Sequence, residues 1–73
     1  MALVKDKKLQ KQVGQKINKI RKEKNISFGE LALRAEMEKP NLVKLTTEGT
    51  NITITTLYKI AKALGVSAKE LLP

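Results

Sequence analysis

The side chains of this chain that can do chemistry are almost all ammonium, guanidinium or carboxylate groups. Fifteen Lys and Arg stand against seven Asp and Glu, with no His and no Cys. Without an imidazole or a thiol, the usual metal ligands, proton shuttles and soft nucleophiles are missing. Lone glutamates in a chain of 73 residues supply neither a nucleophile–base pair nor room for an enclosed pocket. Catalysis, a metal centre and a cofactor are therefore not expected. The inventory does suit binding, because a net charge of +8 on so small a chain favours a polyanionic partner. The charge is uneven: residues 1–24 carry nine basic and two acidic groups, residues 25–50 three and four, and residues 51–73 three and one. A lysine-rich helix is equally a solvated face, so this excess alone assigns no single lysine a role. The two aromatic rings, Phe28 and Tyr58, both suit a core, which argues against single-strand binding by base stacking.

The stretch that positions polar groups most sharply runs from Ser27 to Leu45. Ser27 with Glu30 three residues on has the form of a capping box, so a helix should begin at Phe28. Phe28, Leu31, Ala32 and Ala35 then share a face, and the small Ala32 admits a close helix crossing. Glu36-Met37-Glu38 reads as a turn. Pro40 is tolerated in a first helical turn, so a second helix should start near Lys39, burying Leu42 and Leu45 over Met37 and leaving Lys39, Asn41 and Lys44 outward.

The flanking sequence supplies a scaffold. Residues 1–5 read as a frayed arm, and Asp6 as the cap of a helix whose apolar positions Leu9, Val13, Ile17 and Ile20 recur at helical spacing up to Lys24-Asn25. Gly14 inside it costs about 1 kcal/mol relative to Ala, which either a close packing partner or nothing in particular would explain. Lys19 and Glu23 are spaced for a local ion pair. After a Gly- and Asn-bearing loop, Thr53-Ile54-Thr55 alternates like a strand, but Ile54, Leu57, Ile60, Ala61 and Leu64 follow a longer helical pattern that Thr53 can cap and Gly65 can end. Ser67 with Glu70 opens a last turn that folds Leu71 and Leu72 back on the core. The expected product is one all-α domain over residues 1–73 with about five short helices. No apolar run is long enough for a signal peptide or a membrane span, so a cytoplasmic location follows and the Asn51-Ile52-Thr53 sequon has no expected use.

From about Val13 to Leu72 the chain resembles the Cro/C1-type helix-turn-helix family of prokaryotic transcriptional regulators, often called the XRE family. The resemblance is carried by VGQKINKIRKEKNIS, by Leu31-Ala32, and most strongly by TLYKIAKALGVSAKELL. It implies a five-helix, lambda-repressor-like DNA-binding domain with its helix-turn-helix at residues 27–45. The second motif helix would lie in the major groove of double-stranded DNA, two copies of the chain reading a palindrome as a homodimer, as in a repressor. Matched residue by residue, Glu38, Lys39, Pro40, Asn41 and Lys44 take the base-reading positions. Asn41 suits an adenine edge, and Lys39 or Lys44 guanine or phosphate. Ser27 and Phe28 match one phosphate site, and Thr50, Asn51 and Thr53 a second.

The chain departs from the family pattern in places. Phe28 stands where Gln is common, Glu36 where the turn usually has Gly, and Thr46-Thr47-Glu48 where Glu-x-Gly is usual. Glu36, Glu38 and Glu48 bring negative charge close to where phosphates would lie. These acids, with the apolar Leu33 and Val43, leave open a second expectation: an antitoxin-like or adaptor module that keeps the fold but holds a protein partner such as a toxin. The simpler account of Leu33 and Val43 is a dimer contact or ordinary exposed apolar residues.

Overall fold

The computed structural model describes residues 3–4, 6–49 and 52–72. Helix α1 (Lys7–Glu23) starts at Asp6, whose carboxylate accepts the N–H groups of Lys8 at 2.9 Å and Leu9 at 3.1 Å. It stops where Asn25 turns left-handed (φ 55°), which lets the Asn25 and Ile26 N–H groups bond the Lys22 and Arg21 carbonyls. Helix α2 (Phe28–Arg34) is capped by Ser27, whose hydroxyl accepts the Glu30 N–H at 3.1 Å. Only half of the expected capping box forms here. The Glu30 carboxylate turns to Arg34 at 2.7 Å, an exposed pair one helical turn apart, and the expected Lys19–Glu23 pair is not made.

Glu36 takes the left-handed conformation (φ 56°) that ends α2, with the Glu36 and Met37 N–H groups closing on the Leu33 and Ala32 carbonyls. A side chain in that region costs about 1–2 kcal/mol, which glycine avoids. Glu36→Gly is expected to raise stability by about 1 kcal/mol after the entropy of the freer unfolded chain is subtracted, seen as a melting point higher by roughly 4–8 °C. A lower melting point would mean that the Glu36 side chain makes a contact outweighing its strain.

Helix α3 (Lys39–Glu48) begins at Glu38 without a side-chain cap, Pro40 sitting in its first turn. Strand β2 (Ile52–Thr53) pairs antiparallel with β1 (Leu3–Val4), Leu3 opposite Thr53 and Val4 opposite Ile52. The stretch expected as a frayed arm thus contributes a short strand, because Ile52-Thr53 offers it a β-branched partner. Met1, Ala2 and Lys5 lie outside the described residues. Helix α4 (Ile54–Leu64) is capped by Thr53, which accepts the Thr56 N–H at 3.1 Å, and ends at the left-handed Gly65 (φ 74°).

Among the described residues there are four α-helices and one 3-10 turn, Ala68–Leu71, where about five short helices were expected. Four residues allow a single turn, closed by Glu70 N–H to Ser67 C=O and Leu72 N–H to Lys69 C=O. The Ser67 N–H is held by the Glu70 carboxylate at 2.9 Å.

The core joins Val13 and Ile17 of α1, Leu31, Ala32 and Ala35 at α2, Leu42 and Leu45 of α3, Ile52, the α4 stripe Leu57, Ile60, Ala61 and Leu64, and Leu71. Three core expectations are corrected: Tyr58 is 65% exposed, Ile54 43% and Leu72 39%. On a helix of about 100° per residue, Ile54 and Tyr58 fall to one side of that stripe. Leu72 lies beyond the final turn, in extended backbone (ψ 147°).

Candidate nucleic-acid interface

Helix α3 is held from beneath by Leu42, Leu45 and Thr46, all buried, and by a close crossing with α1. At that crossing Gly14 has no room for a side chain, since a Cβ would lie 2.8 Å from the Leu45 carbonyl oxygen and 3.1 Å from the Thr46 Cα. The unexplained glycine of α1 is therefore what lets α3 lie against it, and the outward face of α3 is displayed on a rigid support.

That outward face is a shallow depression lined by Lys39, Pro40, Val43, Lys44, Thr47 and Glu48. Pro40, Lys44 and Thr47 are centred on it by a spacing of four and three residues, the same periodicity that buries Leu42 and Leu45 on the other side. All five expected base-reading residues, Glu38, Lys39, Pro40, Asn41 and Lys44, are exposed. Asn41, about 100° round the helix from Pro40, sits toward the edge of this face. Lys39 and Lys44 make no ion pair among the described residues, so an anion arriving there displaces no carboxylate. Val43, Thr47 and Glu48 belong to the same face. In the sequence Val43 stands out only as an exposed apolar residue and Glu48 only as a nearby acid, and Thr47 has no expected place on the face, although the spacing from Pro40 is the signal that joins them.

The expected phosphate residues are dispersed. Ser27 is exposed at the start of α2, and because its oxygen accepts the Glu30 N–H, its hydroxyl proton remains to donate. Phe28 is half-buried against the core, with the Arg21 guanidinium 3.9 Å from its ring centroid. Arg21 also donates to the Asn18 side-chain oxygen and to the Ile26 carbonyl at 2.8 Å, which clamps the α1–α2 connection. The ring of Phe28 is thus a shelf for a cation, and only its backbone N–H is available to an anion. The Thr53 hydroxyl caps α4 and is bonded to that of Thr56 at 3.0 Å. Thr50 and Asn51 lie outside the described residues.

The sequence profile of the Cro/C1-type HTH DNA-binding domain matches residues 16–73, most of the chain and all of this face. The chain belongs to the Cro/C1-type helix-turn-helix family. Solved structures agree with that membership. The restriction-modification controller protein C.AhdI from Aeromonas hydrophila shares the fold at a TM-score of 0.83, with 22% identity over 86% of this chain and 96% of its own. The hypothetical transcription factor NHTF from Neisseria gives 0.84 at 28% identity, covering 93% of this chain and 79% of its own. SinR, master regulator for biofilm formation, solved in complex with DNA, gives 0.75 at 38% identity over 81% of this chain and 95% of its own. No curated protein sequence matches. This Cro/C1-type domain is thereby a DNA-binding transcription regulator at the level of the family. None of its described helices is long and apolar enough to cross a membrane.

Proposed function

We propose that this domain reads double-stranded DNA by sequence, as a homodimer with α3 in the major groove of each half-site, and acts as a repressor. The observation that carries this reading is the outward face of α3: unpaired cations and an amide, exposed and rigidly backed by Gly14, Leu42 and Leu45. SinR, 38% identical and solved in complex with DNA, supports DNA as the partner. In this account Asn41 takes an adenine edge through its paired donor and acceptor. Lys39 and Lys44 take guanine or phosphate, Glu38 accepts from a cytosine amino group, and Pro40 gives an apolar contact. Ser27 and the Phe28 N–H hold one phosphate, and Thr50, Asn51 and Thr53 a second.

Sedimentation of the protein with a palindromic duplex whose half-sites lie roughly 34 Å apart tests the assembly. Two chains per duplex are expected, and one chain per duplex at saturation would contradict the homodimer. A second reading has one observation in its favour. Leu33 is 80% exposed on α2, a surface that suits a protein partner such as a toxin. Tight duplex binding by the protein alone, with no stoichiometric partner in the native cell, would remove it.

A further inference from the structure

The reading of α3 as the groove helix can be deepened to the chemistry it selects, and this step rests on that reading. The hydroxyls of Thr46 and Thr47 both donate to the Val43 carbonyl, at 3.0 Å and 2.8 Å. The Thr47 hydroxyl is thereby turned back onto its own helix and its methyl group is left outward. With the exposed Pro40 ring and the half-exposed Val43 isopropyl group, that methyl forms an apolar strip at i, i+3 and i+7 along the outward face. The strip is about 10 Å long at 1.5 Å per residue, the length of roughly three base-pair steps. Lys39, Lys44 and Glu48 border it, so the cations can reach phosphate or guanine while the strip lies along the base edges.

The geometry points to the 5-methyl groups of thymine as what Pro40, Val43 and Thr47 recognise. The methyl is the apolar feature that a major groove displays, and the Thr47 hydroxyl, its one proton given to the helix backbone, has none left to donate to base acceptors there. Thymines at up to three neighbouring positions of each half-site face the strip, Asn41 reads a base pair beside them, and Lys44 reaches phosphate.

The test takes a duplex selected from a random pool and replaces its thymines one at a time by deoxyuridine, which removes only the methyl. One to three neighbouring positions per half-site are expected to lose about fourfold in affinity, the value of one buried methyl group. Thr47→Ser, which deletes the outward methyl, and Val43→Ala should each abolish the thymine-over-uracil preference at one position. Thr47→Val, which keeps the methyl, should preserve it. Matching melting curves establish that the variants are folded. Uracil tolerated at every position of a tightly bound, selected duplex would overturn the thymine assignment while leaving the groove reading intact. Failure of the parent to select any sequence would overturn the groove reading and the strip with it.

Discussion

Gly14→Ala will destabilise the domain although it removes a poor helix former from the middle of α1. On propensity alone the substitution gains about 1 kcal/mol. Against it stands the crossing with α3, where the new Cβ meets backbone, the Leu45 oxygen at 2.8 Å and the Thr46 oxygen at 3.0 Å. Backbone at the centre of a packed crossing cannot swing aside as a surface side chain does, so α1 and α3 must separate. Overpacking of this kind costs about 1–3 kcal/mol, occasionally more, which exceeds the propensity gain at most of that range. A melting point lower by roughly 4–8 °C per kcal/mol of net loss is expected in thermal denaturation. Gly29 in the first turn of α2 is the internal control, since a Cβ there would have nothing nearer than the Ser27 hydroxyl at 4.0 Å. Gly29→Ala should leave stability unchanged or slightly raised. Equal melting points for parent and Gly14→Ala would show that α3 is not held where the crossing places it. Because α3 carries the outward face, Gly14→Ala should also weaken duplex binding more than its loss of stability accounts for.

The second large effect separates base reading from charge. Asn41 and Lys44 are both exposed on α3, so truncation of either should change folding stability by no more than about 0.5 kcal/mol. Their effects on binding should differ in kind. Asn41→Ala removes a paired donor and acceptor and should cost about 1–3 kcal/mol on the preferred duplex, while sequences altered at that one base pair bind as before. Lys44→Ala removes a cation and should weaken binding to all duplexes alike, lowering the slope of log affinity against log salt by about 1 per contact. Titration of each variant on a preferred duplex and on duplexes altered at single positions separates the two. If both variants bound every duplex as the parent does, α3 would not be the reading element.

What the chain discloses in advance is local. Asp6, Ser27 and Thr53 cap their helices because a short polar side chain can reach N–H groups two or three residues on. Gly65 ends α4 because a left-handed residue is needed there. The stripe Leu57, Ile60, Ala61 and Leu64 is equally plain, being set by helical periodicity. What stayed hidden depends on contacts across the fold. The sequence leaves Gly14 with either a close packing partner or no particular role, and only α3 lying against it decides between them. Tyr58, by contrast, falls off the α4 stripe by periodicity alone, and its 65% exposure follows from that. The pairing of Leu3–Val4 with Ile52–Thr53 joins segments almost fifty residues apart, which no window along the chain contains. At the interface, Lys39, Asn41 and Lys44 stood out by polarity, whereas Val43 and Thr47 did not. A valine and a threonine with an inward-bonded hydroxyl carry no polar signal.

Selection of bound duplexes from a random DNA pool, followed by titration of the winner and a scrambled control across a salt series, tests whether α3 reads sequence. A palindromic consensus bound roughly 10³-fold or more above the control is expected, with a salt slope that counts phosphate contacts. No consensus, with selected and control duplexes released together as salt rises, would mean that charge alone was binding, and would contradict the assignment of α3 as a reader of sequence.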